Sequence, residues 1–157
     1  MTTILMRTAL LSLSLLAFVL PSTAQPARPR TPAVTAMQVY RSPTCGCCGL
    51  WVDHVKAAGF SPVVHQMEDV SPVKVKGGVP GDLQSCHTAL IGGYVIEGHV
   101  PADVIQQLVT EKPKIAGLAV AGMPVGSPGM EQGARVDPYQ VIAFTKDGKR
   151  SVYAKRP

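Results

Sequence analysis

Three of the chain's four cysteines fall within four positions, Cys45, Cys47 and Cys48, inside the run Ser-Pro-Thr-Cys-Gly-Cys-Cys-Gly-Leu-Trp that spans Ser42 to Trp51. Before it, Ala36 to Arg41 alternates in the manner of a strand. After it, residues 48–58 carry apolar side chains at helical spacing, with Leu50, Trp51, Val55 and Ala58 expected to face inward and Gly59 to end the helix. The cysteines are therefore expected in a strand-to-helix turn, where free amides and the positive end of the helix dipole favour thiolate, the species that attacks disulfides and binds metals. A plain structural clip is the bland alternative. Against it, Cys47 and Cys48 are adjacent, and one short turn does not need three thiols to be stapled.

The first 24 residues read as a secretory signal peptide: a lone Arg7, an apolar run from Ala9 to Leu20, then Pro-Ser-Thr-Ala ending at Ala24. Small residues at Ser22 and Ala24 place the cut before Gln25, which sends the mature chain to the periplasm of a Gram-negative bacterium. A retained membrane anchor is disfavoured, because the run is shorter than the roughly 18–20 apolar residues of a span. Residues 25–35, rich in proline, read as a disordered or extended leader, and residues 36–157 as one domain. The net charge of +5 is mild and its lysines and arginines are scattered, so neither nucleic acid nor, once the leader is cut, a membrane is an expected partner.

Within the domain a second strand is expected over residues 60–67, with Pro62 confining it to a sheet edge. Residues 68–81 are turn-rich, and Val73 to Lys76 is too short to assign. Two short strands, 88–91 and 94–96, flank the Gly92-Gly93 turn, and a helix follows over 102–110. Ile115 to Val120 is a further apolar stretch, and 141–144 with 151–154 read as a hairpin around Lys146 to Lys149. The order βαβ then ββα predicts an α/β, thioredoxin-like small mixed sheet flanked by helices, with an extra C-terminal hairpin. His54 and His65 read as ordinary histidines. In the glycine- and proline-rich loop before Glu131, Met123 and Met130 are either soft sulfur donors or packing side chains.

Four of these segments, Ser-Pro-Thr-Cys-Gly-Cys-Cys (Ser42 to Cys48), Ser-Cys-His-Thr-Ala (Ser85 to Ala89), Gly-Tyr-Val-Ile-Glu-Gly-His-Val-Pro-Ala (Gly93 to Ala102) and Gly-Met-Pro-Val-Gly-Ser-Pro-Gly-Met-Glu (Gly122 to Glu131), carry a resemblance. In this order, over about Met37 to Tyr153, the chain resembles the periplasmic metal-binding family that includes the copper-resistance protein CopG. The resemblance implies a thioredoxin-like fold, export, and copper handling through Cys45, Cys47, Cys48 and Cys86. Ala121 departs from the pattern, since many relatives have proline there, and the departure bears on how rigid the methionine loop is.

The donor types support copper independently. Cu(I) favours two or three thiolates in low coordination, whereas zinc favours a four-ligand tetrahedron built from two spaced knuckles. Here one knuckle holds three cysteines and the other an adjacent Cys86-His87 pair, so Cu(I) leads and zinc is the weaker expectation. His87 and His99 are secondary candidates, as labile Cu(II) ligands or as proton acceptors. A different class, a copper or thiol oxidoreductase, follows from the C-x-x-C of Cys45 and Cys48, with Cys45 attacking and Cys48 resolving; passive copper buffering is a third. Two interchangeable states are expected: an oxidised form with at least one disulfide among the four cysteines, Cys45–Cys48 preferred, and a reduced form carrying Cu(I). Protein partners would then be periplasmic copper-transfer or electron-transfer proteins.

Overall fold

A computed structural model describes residues 35–157; the signal-peptide reading and all of the leader but Thr35 lie outside the described residues. Strand β1 (Ala36–Arg41) buries Met37 and Val39 completely, and β2 (Ser61–Gln66) lies parallel to it. Between them runs α1 (Gly46–Ala57). There follow α2 (Ser71–Gly77), a 3-10 turn (Gly81–Leu83), β3 (His87–Ile91), β4 (Tyr94–Glu97), α3 (Ala102–Glu111), β5 (Gly117–Ala119), β6 (Tyr139–Phe144) and β7 (Arg150–Arg156). The strands form one mixed sheet in the order β2-β1-β3-β4-β5-β6-β7. Pairs β1/β2 and β4/β5 are parallel and the others antiparallel.

Alternation along the strands divides the core between two faces. Met37, Val39, Ala89, Ile96, Leu118 and Ala143 pack with Trp51, Val52 and Val55 of α1 and with Val104, Ile105 and Leu108 of α3. Their strand neighbours Val95, Ala119 and Phe144 turn the other way and pack with Val79 and Leu83 of the α2–β3 connection. This mixed α/β sheet with its helices is consistent with the thioredoxin-like expectation. Pro62 does sit on an edge strand, Gly92-Gly93 does join β3 to β4, and the C-terminal hairpin extends the sheet beyond β5.

Two expectations are corrected, and one stretch left unassigned is a helix. Helix α1 starts at Gly46 with Cys45 as its N-cap residue, so Cys47 and Cys48 lie inside the first turn. Its inward face is Cys48, Trp51, Val52 and Val55, while Leu50 is 58% exposed and Ala58 is exposed beyond the helix end. Counting Cys48 as a small hydrophobe gives the i, i+3, i+4, i+7 stripe, which excludes Leu50. The unassigned Val73 to Lys76 belongs to α2; seven residues are too few for a period, and the helix's buried side chain is a lysine, Lys74. Among the described residues no helix is long and apolar enough to cross a membrane.

Candidate metal centre

The antiparallel register of β1 and β3 sets Arg41 opposite His87. The chain leaving β1 into the cysteine turn therefore runs beside the chain entering β3, and this brings Cys86, next to His87, to the other three cysteines. All four sulfurs, of Cys45, Cys47, Cys48 and Cys86, lie within 4.8 Å of one another. The turn is held from below by Arg41, whose Nη1 donates to the carbonyls of Ser42 at 3.2 Å and Cys45 at 2.8 Å. No side chain caps α1 and its first turn has no acidic residue. Its leading amides, which a capping side chain would otherwise satisfy, are thus left beside the sulfurs.

Cys45 and Cys48 form a disulfide with their Cα atoms 5.4 Å apart, the pairing preferred from the C-x-x-C spacing, while Cys47 and Cys86 are free thiols. Cys47 Sγ is 3.5 Å from Cys45 Sγ. Burial, and after it the neighbouring Cys47, push the Cys86 thiol up to about 11, so it keeps its proton at neutral pH.

Cys86 also belongs to a second cluster with His87 and His99. Its Sγ is 3.0 Å from His99 Nε2 and 3.4 Å from His87 Nδ1. His99 Nδ1 is 2.8 Å from the Pro128 carbonyl, which can only accept, so Nδ1 carries the hydrogen and Nε2 turns its lone pair toward the sulfur. Burial lowers the His99 pKa, against the Pro128 bond and Glu131, which raise it. His87 is fully buried, with its ring centroid 4.3 Å from that of Trp51. Burial first, then His99, Lys74 and Arg41, hold it well below the ordinary imidazole value, and its Nε2 has no partner among the described residues.

The loop of residues 122–131 reaches the site through backbone. Besides the Pro128 carbonyl, Gly122 O accepts from Ser85 Oγ. Gly129, at φ +85°, lies so close to α1 that a Cβ there would stand 2.7 Å from Cys47 O and 2.8 Å from Trp51 N. Met123 is 52% exposed and Met130 half-buried. His54 and His65 have the ordinary roles expected of them: His54 Nε2 accepts from Ala102 N at 3.1 Å at the start of α3, and His65 bonds Gln38 and stacks on Tyr40.

One group was not read from the sequence. Lys74, Thr88 and Glu97 are all buried. Lys74 Nζ lies 2.5 Å from Glu97 Oε1 and donates to Thr88 Oγ1 at 3.0 Å, and Thr88 in turn donates to Glu97 Oε2 at 2.7 Å. Burial raises the Glu97 carboxyl pKa, and the donors around it oppose that rise. The available signal was an acid at the end of the apolar strand Tyr94 to Glu97; Lys74, in a run of alternating valine and lysine, gave none.

A family model described as "Protein of unknown function, DUF411" matches residues 83–130, from the 3-10 turn to Met130. The chain is also similar to two solved structures of a copper resistance protein, CopG. Form 1 aligns with a TM-score of 0.75 and 48% identity, covering 79% of this chain and 98% of that one. Form 2 aligns with a TM-score of 0.74 and 49% identity, over 78% and 98%. Among curated proteins no significant match was found.

Proposed function

Because this chain belongs to the family of the copper resistance protein CopG, we propose that it is an exported, periplasmic copper-binding protein that holds Cu(I) through Cys45, Cys47, Cys48 and Cys86. The observation that carries the reading is the convergence of four sulfurs within 4.8 Å, three from one turn and one from across the sheet. Four soft sulfurs, three of them crowded into one turn, suit Cu(I) in low coordination better than a zinc tetrahedron. Bound copper would supply one-electron redox chemistry.

The protein's own residues supply the rest. His99, aimed by Pro128, offers Nε2 to the Cys86 proton when the thiol is called on as a ligand, and only after passing that proton on to solvent would the same nitrogen be free as a donor beside the sulfur. The Cys45–Cys48 bond sets how many sulfurs are free. Opening it takes two electrons and two protons and yields two thiols, the electrons coming from a partner dithiol or electron-transfer protein. Copper capture and thiol redox state are thereby coupled. A second reading, a thiol–disulfide oxidoreductase, is favoured by that same bond at a helix start.

Titration of the fully reduced and the Cys45–Cys48-oxidised proteins with Cu(I) under argon, with thiols counted in each, tests the copper reading. The reduced protein is expected to bind more Cu(I), and more tightly, than the oxidised one, in which Cys47 and Cys86 alone are free. Equal tight binding by both would remove Cys45 and Cys48 from the ligand set.

A further inference from the structure

A buried ion pair is weak support for stability, because desolvation of both charges offsets their attraction and an apolar pair of similar volume often serves as well. The Lys74–Glu97 pair is buried at both ends, so its place in this core asks for another reason. Geometry offers one. The Glu97 carboxylate gathers donors from three segments: Lys74 Nζ of α2, Thr88 Oγ1 of β3 at 2.7 Å, and the backbone N–H of Ser85 at 2.7 Å, in the connection before β3. Ser85 precedes Cys86, Thr88 follows His87, and Glu97 stands two residues before His99. Thr88 and Glu97 are also direct partners across the β3/β4 ladder.

Cys86 itself lies outside β3, so the ladder does not hold it. The amide of Ser85 is tied instead to Glu97, and the end of β4 presses on the same residue: a Cβ on Gly98 would stand 2.6 Å from Ser85 Cβ. We propose that Glu97, held in place by Lys74, is the positioning residue for Cys86, acting through the Ser85 amide to set the sulfur against His99 and the cysteine turn. The inference rests on the copper reading for its purpose but not for its geometry. Lys74 thereby links α2 to the one sulfur that the cysteine motif does not carry.

The test uses metal-free protein with Cys45–Cys48 oxidised and Cys47→Ser, so that Cys86 is the one free thiol, and follows its labelling by a maleimide alongside thermal unfolding. Lys74→Met with Glu97→Leu removes both charges together. It is expected to leave the melting temperature near the parent's, to speed Cys86 labelling at least tenfold, and, with Cys47 restored and all thiols reduced, to weaken Cu(I) binding at least tenfold. A folded double variant with parental labelling and parental Cu(I) affinity would overturn the proposal.

Should that variant not fold, Ser85→Pro decides, because it removes the amide donor together with the side-chain hydroxyl. Gln84, at φ −66° and ψ 144°, already has the conformation that a following proline requires. Ser85→Ala, which loses the hydroxyl alone, is the control. Faster labelling in Ser85→Pro than in Ser85→Ala supports the proposal, and equal rates refute it. Absence of Cu(I) binding by the unsubstituted protein would sink the copper reading, while the labelling contrast would still decide the role of Glu97.

Discussion

Cys86 Sγ has two imidazole neighbours, and of these His99 is the better placed, at 3.0 Å with its far nitrogen fixed by Pro128. In the metal-free state the thiol donates to that nitrogen, so a hydroxyl of nearly the same size can take its place. Cys86→Ser should therefore change folding stability by no more than about 1 kcal/mol, the scale of one hydrogen bond. Cu(I) affinity, measured by competition with a Cu(I) chelator, should fall at least tenfold, since an alcohol oxygen is a hard and poor ligand for Cu(I). Unchanged affinity and stoichiometry would make Cys86 a small buried hydrophobe and nothing more.

Helix α1 and the loop of residues 122–131 meet where the sulfurs are, and glycine sets the closeness of their approach. An alanine at Gly129 would have to adopt φ +85° and overlap both Cys47 O and Trp51 N. Gly129→Ala should destabilise the protein by about 2–4 kcal/mol in denaturant unfolding, combining the left-handed backbone penalty with overpacking. A loss below about 0.5 kcal/mol would show that the loop can lift off the helix. Six of the seven strands were legible because their residues alternate or branch at Cβ and Gly92-Gly93 punctuates two of them, whereas β5, three residues long, read only as part of an apolar stretch. Helix α2 was not, because its buried residue is charged, and Leu50 misled because Cys48 occupies the apolar stripe. The four sulfurs were legible by residue type, and the place of Cys86 beside the others followed from the expected thioredoxin-like fold, while the Arg41–His87 register that brings it there is encoded by no local pattern. The Lys74–Glu97 pair, 23 positions apart, was invisible for the same reason.

For the molecule as a whole, the seven strands place the cysteine turn near one edge of the sheet, on the second strand of the order, and the C-terminal hairpin at the other edge. On the export reading the mature protein begins at Gln25, and an intact mass measured on protein from its native host should match that start; a mass retaining Met1 would refute it. The same reading gives the spacing of the cysteines a consequence for biosynthesis. Cys45 and Cys48, three positions apart, can meet in an otherwise unfolded chain, whereas Cys86 arrives only when β3 docks on β1. Short loops close at the least entropic cost, so in an oxidising space the local bond forms ahead of the sheet. A newly made molecule then emerges half-oxidised, with one sulfur pair closed before the fourth cysteine has found its place. On that reading maturation would follow a fixed sequence: the chain folds, then meets a reductant, and only afterwards offers all four sulfurs to an ion.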